Sequence, residues 1–135
     1  MSALVGVSFV AGRVTEASDQ SAQPEITNLM TTALAEEFTP GREVLVDLVV
    51  IPPNTTLDWH RHPGEEFHYY MEGDVEIQLD GKPPIMGKPG TVGHVPYMKR
   101  HRAIAGDKGA KALVFRVHTQ GEAVRYKDGD PLQKH

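Results

Sequence analysis

The chain of 135 residues contains no cysteine, which excludes disulfide bonds, thiolate zinc sites and a cysteine nucleophile. It also lacks an apolar run approaching the roughly 20 residues that a membrane-spanning helix needs. Its lysines and arginines are scattered and its net charge is −4, so it has no general attraction to nucleic acid or to an anionic membrane. We therefore expect neither a nucleic-acid partner nor a membrane partner.

The apolar residues 4–12 have the length of a weak signal-peptide core, but no basic residue precedes them and no clear cleavage site follows them. An ordered arm or an edge strand is the favoured interpretation. We accordingly expect a cytoplasmic protein, with the periplasm and secretion left open.

The length suits one domain, and the composition divides the chain into three regions. Residues 1–40 are expected to form an N-terminal arm, residues 41–120 a β-rich domain, and residues 121–135 a charged tail. An apolar stripe at helical spacing lies inside the arm, made by Ile26, Leu29, Met30 and Leu34. This stripe predicts one short helix over residues 25–38.

From residue 43 onward, short β-rich runs alternate with turn residues. The runs cover residues 43–51, 56–60, 66–71, 74–79, 91–95, 102–105 and 111–119. Such spacing predicts an all-β sandwich or a small barrel, and no helical stretch follows a strand as a parallel βαβ sheet requires. The dipeptide Asp80-Gly81 predicts a hairpin with a type I′ turn.

The stretch WHRHPGEEFHYYMEG at residues 59–73 brings imidazoles and carboxylates together. Residues two apart share one face of a strand, so His60 and His62 point the same way. A turn follows, and Glu66 begins the next run within reach of the pair. His101 can supply a fourth group from a neighbouring strand. Three histidines and one glutamate are suitable ligands for one divalent transition metal ion, with Fe, Mn, Ni, Co, Cu and Zn all compatible.

Two further side chains are expected to face the same side of the strand as Glu66. His68 and Tyr70 follow it at steps of two. His68 is then a partner that holds a ligand, a pocket acid or base, or a hydrogen-bonded core histidine. We take His68 and Tyr70 as the catalytic candidates, although packing is the commoner role of a buried tyrosine.

The spacing of these residues resembles the two motifs of the cupin superfamily. The first family motif is G-x5-H-x-H-x3,4-E-x6-G, and this chain reads N-x5-H-x-H-x3-E-x6-G from Asn54 to Gly73. The second motif is G-x5-P-x-G-x2-H-x3-N, in which Gly90, Pro96 and His101 fall at the expected positions. Met98 and Ala105 stand where the family has glycine and asparagine.

The resemblance implies an all-β cupin-type jelly roll, or double-stranded β-helix barrel, over residues 41–120. It also implies His60, His62, Glu66 and His101 as the metal ligands. Glu65 competes with Glu66, because the turn before them makes strand parity a poor guide. His94 could replace His101, although it precedes Pro96 rather than following it.

Three functions follow from the resemblance. The first is a small-molecule metalloenzyme, either dioxygenase-like on an enolisable or phenolic substrate or a lyase or isomerase. The second is a non-catalytic module that binds a metal or a small ligand. In the third, the metal only stabilises a barrel whose pocket is filled by Met71, Met86 or Met98.

Two further expectations concern the whole protein. Jelly-roll edges and the apolar residues 3–10 need covering, which predicts a homodimer. Metal affinity should fall as the pH drops through ~6.5, because imidazole must be neutral to bind a metal.

Overall fold

The computed structural model describes residues 23–132, and its regular elements in this range are all strands. The apolar residues 4–12 and His135 lie outside the described residues. The strands are β1 Glu25–Ala33, β2 Arg42–Ile51, β3 His60–Arg61, β4 Gly64–Leu79, β5 Ile85–Gly87, β6 Val92–Val95, β7 His101–Thr119 and β8 Tyr126–Lys127. The prediction of an all-β jelly roll is confirmed. No helix within residues 23–132 is long and apolar enough to cross a membrane.

The sheet is antiparallel throughout and is organised around the two longest strands. Strand β7 pairs with β2 along one edge and with β4 along the other, in the overall order β1-β2-β7-β3-β8. Strand β4 also pairs with β5 and β6. Because β4 and β7 are long enough to change partners along their length, the sheet curls, and a cavity lies on the inner side of the curl.

These long strands differ from the prediction, which divided each of them in two. Breaks were expected at Gly73 and across residues 106–109, but both segments remain paired within one strand. Gly73 and Gly109 have positive φ values of 69° and 72° and lie against each other. A side chain on Gly73 would collide with the carbonyl oxygen of Gly109. The two glycines therefore bend the strands locally, and the pairing continues past them with shifts in register.

The short helix predicted over residues 25–38 is wrong. Residues 25–33 form β1, which pairs with β2 from Glu25 opposite Val50 to Ala33 opposite Glu43. All nine residues of β1 are exposed, so the apolar side chains that predicted a helix are not buried in a core. Pairing with an available sheet edge outweighs a short local pattern, and Ile26, Thr27, Thr31 and Thr32 are β-branched residues that suit a strand.

The Asp80-Gly81 hairpin is present, but its turn is not type I′. Strands β4 and β5 pair across it, and the amide of Lys82 donates to the carbonyl of Leu79 at 3.1 Å. Gly81 has φ 70°, whereas Asp80 is not in the positive-φ region. A type I′ turn needs positive φ at both central residues, so this connection uses only the freedom of the glycine.

The backbone is left-handed at two of the three motif positions that depart from the family pattern. Asn54 has φ 52° and Met98 has φ 56°. Asparagine adopts this conformation at little cost, whereas methionine does so with strain. The amide of Met98 donates to the carbonyl of His62 at 3.0 Å, which ties the turn before His101 to the strand segment that carries the other histidines.

Candidate metal centre

Three histidines meet at the junction of β3 and β7. His60 lies directly opposite His101 in the antiparallel pairing of these strands, and His62 follows two residues after His60. All three are buried, with 3–5% of their surface exposed. One ring nitrogen from each can be chosen so that the three atoms lie within 4.8 Å of one another. The three histidines are therefore close enough to bind one metal ion together.

Each ring is oriented by a backbone carbonyl. The Nδ1 atom of His60 lies 2.7 Å from the oxygen of Asp58, that of His62 lies 2.7 Å from the oxygen of Val124, and that of His101 lies 2.8 Å from the oxygen of Lys99. A carbonyl only accepts, so Nδ1 carries the hydrogen in each ring. The lone pair then resides on Nε2, which is the tautomer that a metal ligand requires.

Glu66 brings its carboxylate to the same place from β4. Its Oε2 atom is 3.0 Å from Nε2 of His62, and its Oε1 atom is 3.4 Å from Nε2 of His101. The Nε2 atom of His62 is buried and makes no hydrogen bond within the described residues. With Nδ1 protonated, that nitrogen and the carboxylate are both acceptors, and their close approach is unfavourable without a cation between them. The donor set therefore fits a divalent transition metal ion.

Two donors hold the Glu66 carboxylate in position. His68 Nε2 is 2.5 Å from Oε1, and Arg116 Nε is 2.6 Å from Oε2. Arg116 also donates from Nη1 to Asp47 at 2.5 Å, and Asn28 donates to the other oxygen of Asp47 at 2.8 Å. These contacts make a continuous polar network beneath the histidines, which fixes the carboxylate and pairs the buried charges.

Asp47 and Arg116 were not predicted from the sequence to belong to the site. A signal existed, because each is a single charged residue inside an apolar run, VLVDLVV around Asp47 and VFRVH around Arg116. Both are buried, at 5% and 7% exposure. A buried charge on a central strand usually has a charged partner, but the partner cannot be named until the strand register is known.

The environment favours the protonation states of metal ligands. Burial, with His101 and His62 close by, lowers the pKa of His60 from 6.5 to about 3. Burial also lowers the pKa of His62. For Glu66, burial alone would raise the pKa, but the guanidinium group of Arg116 and the hydrogen bond with His68 outweigh it and hold the pKa well below its usual range. The imidazoles of His60 and His62 are thus neutral and the carboxylate is ionised at neutral pH.

Tyr70 and His68 continue the network away from the histidine cluster. The Tyr70 hydroxyl lies 2.8 Å from Nδ1 of His68 and donates to it, because Nε2 of His68 carries the hydrogen directed at Glu66. Tyr70 is 2% exposed, and burial, followed by the nearby Glu66 charge, raises its pKa. Side chains at Gly87 or Gly93 would collide with its ring or hydroxyl. Small residues at these positions therefore make room for the tyrosine.

The two residues that compete for the ligand positions in the sequence, Glu65 and His94, lie away from the histidine cluster. Glu65 and His94 pair with each other at 2.6 Å on the exposed side of the sheet, and Phe67 stacks on His94 with ring centroids 4.8 Å apart. Neither Glu65 nor His94 lines the cavity described below. Of the two adjacent glutamates, Glu66 is the one that reaches the histidines.

A cavity of about 490 Å³ adjoins the histidine cluster. Its wall includes the three histidines together with the Glu66 network, and the remainder is mostly apolar, including Leu45, Val49, Ile51, Val75, Ile77 and Val114. Met71, Met86 and Met98 do not line it. The volume is sufficient for a small organic molecule, and these methionines leave it open.

A family model described as a cupin domain matches residues 47–117, which is more than half of the chain. Among curated proteins, none matches the chain in sequence.

Solved structures share the fold. The DMSP lyase DddQ from Ruegeria pomeroyi DSS-3 superposes with a TM-score of 0.60 and 20% identity, covering 86% of this chain and 66% of that chain. A protein with a double-stranded β-helix domain from Klebsiella pneumoniae gives a TM-score of 0.63 and 14% identity over 79% of this chain and 85% of that chain. A further DMSP lyase structure matches at 0.57 and 21% identity, covering 62% of this chain.

The chain spans 43% and 66% of the two lyase chains, so it matches only part of their length. At identities below 25%, these likenesses concern the fold alone. Together with the family match over the central strands and the histidine cluster that they carry, they give one conclusion. The chain belongs to the cupin superfamily.

Proposed function

We propose that this protein is a small-molecule metalloenzyme in which His60, His62, Glu66 and His101 bind one divalent transition metal ion. One observation carries the proposal. The buried Nε2 atom of His62 and the carboxylate of Glu66 approach each other with no hydrogen-bond donor between them, and they lie beside an open cavity. Three imidazole nitrogens and one carboxylate suit Fe, Mn, Ni, Co, Cu or Zn. A bound ion would supply Lewis-acid polarisation of a substrate oxygen, and, if redox-active, the capacity to react with dioxygen.

The residues of the chain divide the remaining tasks. The apolar cavity wall excludes water and packs against the hydrocarbon part of a substrate. His68 uses both ring nitrogens within the network, one toward Tyr70 and one toward Glu66. We therefore assign His68 and Tyr70 as positioning residues that act through Glu66. Direct action of His68 or Tyr70 on the substrate, for which the sequence made both candidates, stays a prediction.

Two reaction classes fit this arrangement. One is dioxygenase-like chemistry on an enolisable or phenolic compound, and the other is a lyase or isomerase reaction beside a carbonyl or carboxylate. The structural likeness to DMSP lyases supports the second class by analogy of fold.

A non-catalytic binding module is the second candidate function. One observation favours it. The carboxylates of Glu66 and Asp47 and the ring of His68 already have hydrogen-bond partners in the network around Arg116. Such a wall would bind a ligand without transferring protons to it.

The deciding experiment begins with elemental analysis of protein purified without added metal. The loaded protein is then screened in air with diketones, flavonols and hydroxy acids, while oxygen consumption and product formation are followed. Turnover supports the enzyme, and ligand binding without turnover supports the module. Protein that binds no transition metal under any loading condition contradicts the metalloenzyme.

We expect metal affinity to resist acid better than a site of three ordinary histidines would. Three imidazoles with pKa values near 6.5 would lose up to about a thousandfold in affinity per pH unit below that value. Here the pKa values of His60 and His62 are lowered, so protons compete weakly with the metal for these two rings. The loss of affinity below pH ~6.5 should therefore be well under about a thousandfold per pH unit, as measured by competition with a chelator indicator.

The same groups determine the acid stability of the metal-free protein. A lowered pKa means that the unfolded chain binds protons that the folded chain does not, so the free energy of unfolding falls as the pH drops from about 6.5 toward 3. For metal binding, a steep loss of affinity that begins at pH 7 would contradict the lowered pKa values of His60 and His62.

We also propose that the protein is a homodimer. Within residues 23–132, β1 pairs with β2 alone, and its Ile26, Leu29 and Met30 side chains are 46–55% exposed. An open edge with apolar side chains needs covering. Light scattering should give about twice the mass of the chain, and Leu29→Glu should shift it toward the monomer. A wild-type monomer at micromolar concentration contradicts the proposal.

A further inference from the structure

Arg125 is a cation at the cavity that has no partner among the residues that the structure describes. It lines both the main cavity and a second cavity of about 120 Å³, and the two cavities share His60, Pro24 and Leu57 in their walls. Within residues 23–132, no hydrogen bond or ion pair holds its guanidinium group. Arg125 is partly buried. An arginine with five donors and no acceptor at the edge of a cavity can bind an incoming anion.

The backbone around Arg125 is fixed to the histidine cluster on both sides. The carbonyl of Val124 accepts from Nδ1 of His62 at 2.7 Å. On the other side, β8 pairs with β3, which places Tyr126 opposite Arg61. Arg125 is therefore held beside the metal-binding residues by the same contacts that orient one of them.

The other cations near the cavity are already paired. Arg116 donates to Asp47 and Glu66, and Lys127 lies 3.4 Å from the carboxylate of Asp58. In the interior, two carboxylates face the single guanidinium group of Arg116. A divalent ion on neutral histidines would leave that interior with one positive charge in excess, and Arg125 adds a second. An anionic ligand would balance this charge.

We propose that Arg125 binds the carboxylate of a small organic acid, whose hydrocarbon part lies against the apolar wall of the main cavity. The charge excess rests on the metal ion of the proposed function, whereas the position of Arg125 at the cavity does not. A guanidinium group matches a carboxylate in a bidentate fork, which gives both orientation and charge compensation. Arg125 is therefore the residue that selects acids over neutral compounds of the same shape.

The test compares acids with their amides. Acetate, butyrate, benzoate and succinate, with the corresponding amides, are titrated calorimetrically into wild-type protein, Arg125→Gln and Lys88→Gln. Lys88 is exposed and lines neither cavity, so its replacement removes the same charge without changing the site. Each titration is made with metal-free protein and with zinc-loaded protein.

We expect at least one acid to bind the wild type more tightly than its amide. Arg125→Gln should weaken binding of that acid roughly 10- to 100-fold, in line with the loss of a charge-assisted bidentate contact, and should change amide binding less than threefold. Arg125→Lys should restore part of the loss. Lys88→Gln should match the wild type.

Two results would overturn the inference. One is equal binding of acids by Arg125→Gln and wild type, and the other is no binding of any acid in the panel by the wild type. Zinc content is measured in the same samples. Zinc bound at one per chain with no dependence of acid binding on Arg125 refutes this inference alone. Acid binding that depends on Arg125 in protein that binds no transition metal under any loading condition refutes the proposed metalloenzyme alone.

Discussion

Replacing His101 with alanine should remove most of the bound metal while leaving the barrel folded. The substitution deletes one of the three proposed nitrogen ligands, and the remaining two histidines and Glu66 should bind at least about a hundredfold more weakly. The fold should persist, because the backbone of residue 101 keeps its pairing with His60 and Leu79. Elemental analysis measures the metal, and thermal unfolding of the metal-free protein verifies the fold.

His94→Ala is the matched control. His94 is also a strand histidine paired with a glutamate, but it lies on the exposed side of the sheet and lines no part of the cavity. Its replacement should leave metal content at the wild-type level. Wild-type metal content in His101→Ala would refute the ligand assignment, as would equal losses in both variants.

Arg116→Met should destabilise the metal-free protein by about 3–5 kcal/mol, because it removes the partner of two buried carboxylates. The side chains of Arg116, Asp47 and Glu66 are only 5–8% exposed, so water cannot replace the lost contacts. Urea unfolding at pH 7 measures the effect. Adding Asp47→Asn removes one of the stranded charges and should recover part of the stability.

The pH dependence distinguishes a charge effect from poor packing. In the wild type the pKa of Glu66 is lowered, so its stabilising contribution is complete above its ordinary pKa and is lost as the pH falls through the lowered value. Without Arg116, Glu66 loses one of the attractions that lower this pKa. The stability difference between wild type and Arg116→Met should therefore be largest at neutral pH and should shrink as the pH falls below the ordinary carboxyl pKa toward the lowered value. A constant difference would indicate packing alone.

The strand content and the histidine cluster could be predicted from sequence because their signals are local. His60 and His62 lie two residues apart on one chain segment, and the turn and Glu66 follow within a few positions. His101 lies distant in the chain, but the second motif gave its position. The jelly roll followed from the same motifs and from the regular spacing of turn residues.

The predictions failed where the structure depends on pairing between residues that are distant in the sequence. The Ile26, Leu29 and Met30 stripe fits a helix locally, but the edge of β2 was available and β1 formed against it. Likewise, the contact between Arg116 and Asp47 joins residues 69 positions apart. Such a partner depends on the register of β2 against β7, which no local pattern contains.

The contribution of the segment after β7 could not be predicted either. Residues 121–135 read as a charged tail, yet the carbonyl of Val124 orients His62 and Arg125 lines the cavity. The carbonyl belongs to the backbone, so no residue type announces it. The domain boundaries at residues 40 and 120, like the compartment, stay predictions.

The main-chain oxygens that orient the three imidazoles have an implication for tracing relatives of this protein. Every amino acid has the same peptide oxygen, so mutations at Asp58, Lys99 or Val124 can alter the side chain and leave the ring alignment intact. Two proteins could thus share an identical arrangement of imidazoles while having unrelated residues at all three places. Structural comparison would detect such a relationship where sequence comparison would miss it.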